Sequence, residues 1–200
     1  MRLVVGKRPA TRPISPRSWQ GWRIVGPGRW GVPPVRWRDS GDAAGGAIVG
    51  ILIYELLHYW YHRGVHRWDV LWRLVGRQMH HSAERVDAFG AYFGHPLDLA
   101  VFTSIAVLVL YAVLGLSPEA AGTAAAFLSL NAVFQHTDIS TPRWLGYLIQ
   151  RPESHRVHRG WGVHWFDYSD LPLWDIVFGT FRNPAPGVCN LPASTEKAEI

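Results

Sequence analysis

From Pro96 to about Leu116 the chain reads PLDLAVFTSIAVLVLYAVLGL, and Asp98, near its start, is the only charge in it. A run of about 20 apolar residues matches the hydrocarbon thickness of a bilayer. Inside lipid every backbone N–H and C=O must be paired within the protein, so a run of this kind folds as a helix. Ser117-Pro118-Glu119 follows. Serine caps a helix N-terminus, proline suits the first helical position, and an acid complements the dipole. Residues 119–136 are predicted to form a second apolar helix ending at His136, and so short a turn makes an antiparallel hairpin of the two. A buried helix pair of a soluble protein is the competing structure, and the length of the run argues against it.

The rest of the chain fits a membrane setting. Hydrophobic residues make up 48% and charged residues 18%, lean in charge for a soluble domain, and 200 residues suit one domain. The 11 Trp favour a membrane–water interface. Residues 1–40 hold nine Lys/Arg against Asp39 alone. Such a segment meets anionic lipid or nucleic acid, and apolar helices behind it favour lipid, so no nucleic-acid partner is expected. Residues 1–42 are read as an irregular basic arm, without the apolar core of a secretory signal. Ala43 to about His62 is a first helix candidate, with an apolar part too short to span fully; it either tilts or dips in and returns. Residues 66–85 look amphipathic and interfacial. Asp170 to Phe178 reads as a short helix capped by Gly179. Residues 185–200 form a loose tail. The expected fold is all-α: an integral membrane helical bundle, residues 43–184, with a transmembrane hairpin and a histidine cluster on the cytosolic face.

Ten histidines sit beside these apolar runs, mostly in knots: His58-Tyr-Trp-Tyr-His62, His80-His81 and His155-Arg-Val-His158, with His136 between the last two. His58 and His62 lie four apart on one helix face. His80 and His81 diverge by about 100° on a helix, so two metals can be approached from one such pair. His155 and His158 share a face if helical. Each knot alone has a plain reading as interfacial or surface histidine. Together they favour a metal pair, because buried imidazoles need partners and imidazole suits Zn, Cu, Fe and Ni. With Cys189 as the single cysteine, no CxxC site exists and the ligands must be His or carboxylate. Glu55, Glu84, Asp138, Asp167 and Asp170 are the nearest carboxylates available to orient imidazoles.

The pattern HxxxH, HH-Ser and HxxH, closing on Asp170-Leu-Pro-Leu-Trp-Asp-Ile-Val-Phe-Gly-Thr-Phe-Arg-Asn-Pro184, resembles the fatty acid hydroxylase/sterol desaturase superfamily over roughly residues 45–184. Members are integral membrane enzymes that use a non-haem diiron centre and O2 to hydroxylate or desaturate lipids. The resemblance implies His58, His62, His80, His81, His136, His155 and His158 as ligands of two Fe ions, O2 as co-substrate, a lipid substrate and an external electron donor. No CxxCH occurs, and GxGxxG is met only as Gly26-Pro-Gly28-Arg-Trp-Gly31 inside the Pro-rich basic arm, which shows no strand or helix periodicity, so no c-type haem or dinucleotide-binding unit is carried in the chain. Two positions depart from the pattern: the second box usually reads HxxHH and begins here with Arg77, and the third usually ends in HH and ends here in Arg159. Arginine keeps its charge and offers no lone pair. His66, His95 and His164 are the available substitutes. The rival reading is therefore a degenerate member acting as a membrane scaffold or binding protein without oxygenase activity. A zinc hydrolase wants HExxH, which Glu55-Leu-Leu-His58 is not, and a bis-His haem protein is the remaining alternative.

Overall fold

The computed structural model describes residues 42–83, 86–160 and 164–185. The basic arm up to residue 41, the tail from 186, Cys189 and Glu84 lie outside the described residues. Those described form helices and no strand. The helices are α1 (Ala43–Arg67), α2 (Asp69–Leu74), α3 (Arg77–His81), α4 (Pro96–Val107, continued by a π-helical turn over Leu108–Val113), α5 (Pro118–Gln135), α6 (Pro152–His158) and α7 (Pro172–Phe178), with 3₁₀ turns at Ala88–Tyr92 and Arg143–Tyr147.

Among the described residues two helices are long and apolar enough to cross a membrane: Ala43–Arg67 and Pro96–Val113. The second leaves Leu97, Val107, Leu108, Tyr111 and Val113 exposed, as a lipid-facing helix does. The predicted hairpin partner forms as α5, capped as expected by the Ser117 hydroxyl, which accepts from Ala120 N at 3.2 Å. Both halves of the hairpin pack on α1. The expected dip and return within residues 43–62 does not occur: α1 is one unbroken helix of 25 residues, started by Asp42, whose carboxylate accepts from Gly45 N at 2.8 Å. Nothing inside it breaks the ladder, because its glycines fall where a neighbour approaches. A Cβ on Gly50 would lie 2.7 Å from Leu110 Cδ2 and 2.9 Å from Leu116 Cδ1.

The interior changes character along α1. Toward its N-terminus Ala47 and Tyr54 pack with Leu110, Leu116, Ala120, Ala121, Ala124 and Leu128. Small residues on α5 let the two backbones approach, the usual means of helix association in lipid. Toward its C-terminus Glu55, His58, His62 and His66 are buried alongside Tyr59 and Val65.

The predicted amphipathic stretch 66–85 is broken into pieces. Gly76 turns the chain between α2 and α3 at φ 69°, where a Cβ would strike the His95 ring at 2.6 Å. The closing helix is as expected, with Gly179 capping α7 at φ 73°.

Candidate metal centre

Four elements deliver imidazoles to one buried region: α1, α3, the C-terminal end of α5 and α6. They divide into two groups whose candidate ligand atoms each lie within 4.8 Å of one another. The first is His62, His66, His81 and His158; the second is His80, His136 and His155. Helix geometry makes the division. His62 and His66 are four apart and share the inner face of α1. His80 and His81 point about 100° apart, so α3 supplies one to each group. On α6, His155 and His158 stack with ring centroids 5.5 Å apart, yet each faces a different group.

Backbone carbonyls hold the rings. The Nδ1–H of His62 donates to Tyr168 O at 2.7 Å and that of His158 to Phe166 O at 2.8 Å. His80 Nδ1–H donates to Phe93 O at 2.9 Å, and His136 Nδ1–H to Ala132 O at 2.7 Å. A carbonyl only accepts, so each of these nitrogens carries the hydrogen and each Nε2 presents a lone pair inward. This is how metal-ligating histidines are normally oriented. In the first group the Nε2 atoms of His66, His81 and His158 are buried with no hydrogen-bond partner. Burial pushes His80, His81 and His155 well below the ordinary imidazole range, His136 to about 4 and His158 to about 3. They are neutral at neutral pH, the form that binds metal. The first group therefore fits an ion of imidazole preference.

Asp167 sits between the two anchoring carbonyls at φ 53°, in the left-handed region. Asp tolerates it better than most residues, and such strain persists only where surroundings enforce it. Here Asp167 N donates to Thr180 O at 3.0 Å, and Asp167 Oδ1 accepts from Arg182 N at 2.8 Å. Next to it the Asp175 carboxylate, 1% exposed, accepts from Tyr168 N (2.8 Å), Ser169 N (2.9 Å), Ser169 Oγ (2.6 Å) and Thr180 Oγ1 (2.6 Å). The closing sequence block thus serves the site through its backbone.

The seven histidines named from the sequence are all buried or half-buried here, but His58 joins neither imidazole group. Its Nδ1 lies 3.9 Å from Glu55 Oε2 and 4.0 Å from Asp170 Oδ2. Glu55 in turn accepts from Asp170 N at 2.9 Å and Leu171 N at 3.2 Å, tying α1 to the segment before α7. His66, named from sequence only as a substitute, belongs to the first group. His164 bonds His66, Nδ1 to Nδ1 at 3.1 Å, and His95 caps α4 by accepting from Leu97 N at 3.2 Å. Among the described carboxylates expected to orient imidazoles, Asp138 pairs with Arg156, Asp170 Oδ1 accepts from Gln135 Nε2 at 2.7 Å, and carbonyls do the orienting instead.

Two guanidiniums also enter the site. Arg77 pairs with buried Asp98 at 3.0 Å and donates through Nη2 to His62 Nε2 at 2.8 Å. Arg159 donates through Nη1 to His80 Nε2 at 3.3 Å. Burial and the nearby Arg77 lower Arg159 only to about 10, so it stays charged. A cavity of about 120 Å³ opens beside these groups, lined by His58, His80, His136, Arg77, Leu99 and Phe102 among others.

Comparison with known proteins agrees with the closing sequence block. The chain is 30% identical over 141 residues to an alkylglycerol monooxygenase of Danio rerio, covering 68% of this chain and 29% of that protein. It is 24% identical over 156 residues to sphinganine C4-monooxygenase 1 of Arabidopsis thaliana, covering 76% and 56%. A very-long-chain aldehyde decarbonylase of Oryza sativa subsp. japonica is 26% identical over 141 residues, covering 66% and 53%. The matched stretch thus spans about a third to just over half the length of these relatives. No solved structure matches the chain. The sequence profile named fatty acid hydroxylase matches residues 47–180, and the chain belongs to that family.

Proposed function

We propose that the chain is an O2-dependent lipid hydroxylase or desaturase whose non-haem iron is held by buried imidazoles. The observation that carries this reading is a buried cluster of four imidazoles in which the Nε2 atoms of His66, His81 and His158 have no partner, with His158 fixed by the Phe166 carbonyl and His62, which lines the cavity, by that of Tyr168. Iron, when bound, supplies activation of O2 and oxidation of an unactivated lipid C–H bond. His62, His66, His81 and His158 are the residues to hold it. His80, His136 and His155 are the place for the second iron expected from the resemblance, and that group already faces a guanidinium.

The chain's own part is binding and exclusion. A 120 Å³ cavity is far below the 300–1,000 Å³ of pockets that enclose whole ligands, so only the reacting segment of a lipid enters. Leu99 and Phe102 give that segment apolar wall. Tyr92 lines the cavity and is itself exposed next to exposed Phe89, Phe93 and Leu97, an apolar approach for the remainder of the substrate. Electrons come from an external donor. Reduced iron and such donors place the site on the cytosolic face. With α1 unbroken, a full crossing sets residue 43 on the side opposite His66, against the positive-inside placement of the basic arm. Protease access to a tag at each end decides between the two.

A non-catalytic scaffold is the second reading, favoured by the guanidiniums on His62 and His80. Lipid profiling of cells with and without the gene under ¹⁸O2 separates the readings. An oxygenated or desaturated lipid that disappears with His81→Ala supports the enzyme. An unchanged profile, with no iron in the purified protein, supports the scaffold.

A further inference from the structure

We propose that the centre takes a single metal ion, in the group of His62, His66, His81 and His158, and that Arg159, bonded to His80, holds the second imidazole group closed to metal, with the charge of Arg77 close by. The inference rests on the metal-centre reading and sharpens it to one ion.

The two groups differ in what their lone pairs lack. In the first, the Nε2 atoms of His66, His81 and His158 are buried without any partner. His158, whose Nδ1–H is committed to Phe166 O, is left with a bare Nε2 acceptor, and His66 and His81 each turn an unpartnered Nε2 into the same space, so one cation satisfies all three. In the second, none of the three Nε2 atoms is orphaned. His80 and His136 both commit Nδ1–H to carbonyls, so their Nε2 lone pairs face each other at 3.3 Å and cannot satisfy one another. Two donors resolve this. Arg159 Nη1 donates to His80 Nε2 at 3.3 Å. His155 Nε2 lies 3.0 Å from His136 Nε2 and supplies the hydrogen there. Each Nε2 of the second group thus has a partner without metal, while Arg159 keeps Nε and Nη2 buried and unpaired.

Charge bears on the second group through Arg159, while Arg77 reaches both groups. Arg77 and Arg159 are 7% and 3% exposed. Arg77 has Asp98 as its ion pair, 1% exposed at 3.0 Å, and lines the same cavity as His80, His136 and His155. A dication among those three imidazoles would meet two guanidiniums in a poorly solvated interior, with one of them already paired. Arg77 also donates to His62 at 2.8 Å. The ion therefore takes His66, His81 and His158 directly, and gains His62 only by displacing a guanidinium that Asp98 still retains.

The test is metal stoichiometry of the full chain purified in detergent, stripped with chelator and titrated anaerobically with Co²⁺, read by d–d absorption and elemental analysis. About one ion per chain is expected. His80→Ala should keep that ion, and His81→Ala should lose it. The paired change Arg77→His with Arg159→His should raise binding toward two. Two ions in the unaltered chain would overturn the proposal and leave the metal-centre reading standing. No ion at all would overturn both. Loss of the ion in His80→Ala with retention in His81→Ala would reverse the assignment of the groups. A folded double variant that stays at one ion would remove the role given to the guanidiniums.

Discussion

Asp175→Ala tests whether the segment after Gly160 holds the site through its backbone. The carboxylate is 1% exposed and accepts four hydrogen bonds at 2.6–2.9 Å. Two of the donors can turn elsewhere. The Ser169 hydroxyl also reaches Leu171 O at 2.5 Å, and Thr180 Oγ1 lies 3.1 Å from Tyr59 Oη. The amides of Tyr168 and Ser169 cannot turn. Leaving two buried N–H groups without acceptors costs about 1–3 kcal/mol each, and the weakened hydroxyl bonds add about 1 kcal/mol more. The expected loss of about 3–7 kcal/mol is a large share of a typical stability of about 5–15 kcal/mol. Thermal unfolding in detergent, followed by tryptophan fluorescence, should show a drop of about 10 °C or more for a chain of this size. Metal affinity should fall too, because the same turn carries Phe166 O, the anchor of His158, and losing such an anchor typically costs about 10–100-fold. Asp69→Ala, at an exposed position in the first turn of α2, is the control and should shift melting by little. An Asp175→Ala protein that melts with wild type and binds metal as tightly would refute the argument.

Acid should destabilise the metal-free protein with a definite sign. Burial depresses His80, His81, His136, His155 and His158, so the unfolded chain binds more protons below its imidazole value near 6.5. Stability is full above that pH and falls by about 1.4 kcal/mol per imidazole at pH 5.5; melting that does not change between pH 7.5 and 5.5 would contradict their burial as neutral groups. Gly50→Val forces side-chain atoms into Leu110 and Leu116, an overpacking expected to cost about 1–3 kcal/mol, read as a lowered melting temperature. Asp167→Val sets a β-branched residue at φ 53° and removes the acceptor of Arg182 N, for a loss of about 2–4 kcal/mol; Asp167→Asn, which tolerates the conformation and keeps an acceptor, should recover most of it.

Much of the fold was legible because local chemistry and tertiary role coincide in it. The Pro96–Leu116 run, the Ser117-Pro118-Glu119 start and the Gly179 stop each carry their own physical instruction, and each element appears where it was expected. The first helix was read too short. Hydropathy fades after Tyr54, yet α1 continues to Arg67. One face of its last three turns, with His58, His62 and His66, is buried against other protein elements, so polar residues there do not signal an end. The Gly76 turn was missed inside an amphipathic pattern whose charges and tryptophans fit a helix on either side of it.

At the site, spacing accounts for part of the arrangement of the histidines and leaves part of it open. The divergence of adjacent His80 and His81 follows from helix geometry and is what the structure shows. His58, His62 and His66 all lie at i, i+4 intervals on one face, so spacing cannot say which pair meets α3 and α6. What decides is depth along α1: His58 ends level with the acceptor-rich turn at Asp170, and His66 ends against His81 and His158. The orienting partners were invisible for a different reason. Carboxylates can be found in a sequence, but every residue has a carbonyl, and only a fold reveals which of them point at a ring nitrogen. Here Phe166 and Tyr168 do so because Asp167 between them is held in a left-handed conformation, by bonds to Thr180 and Arg182 that only the closed tertiary structure brings within reach.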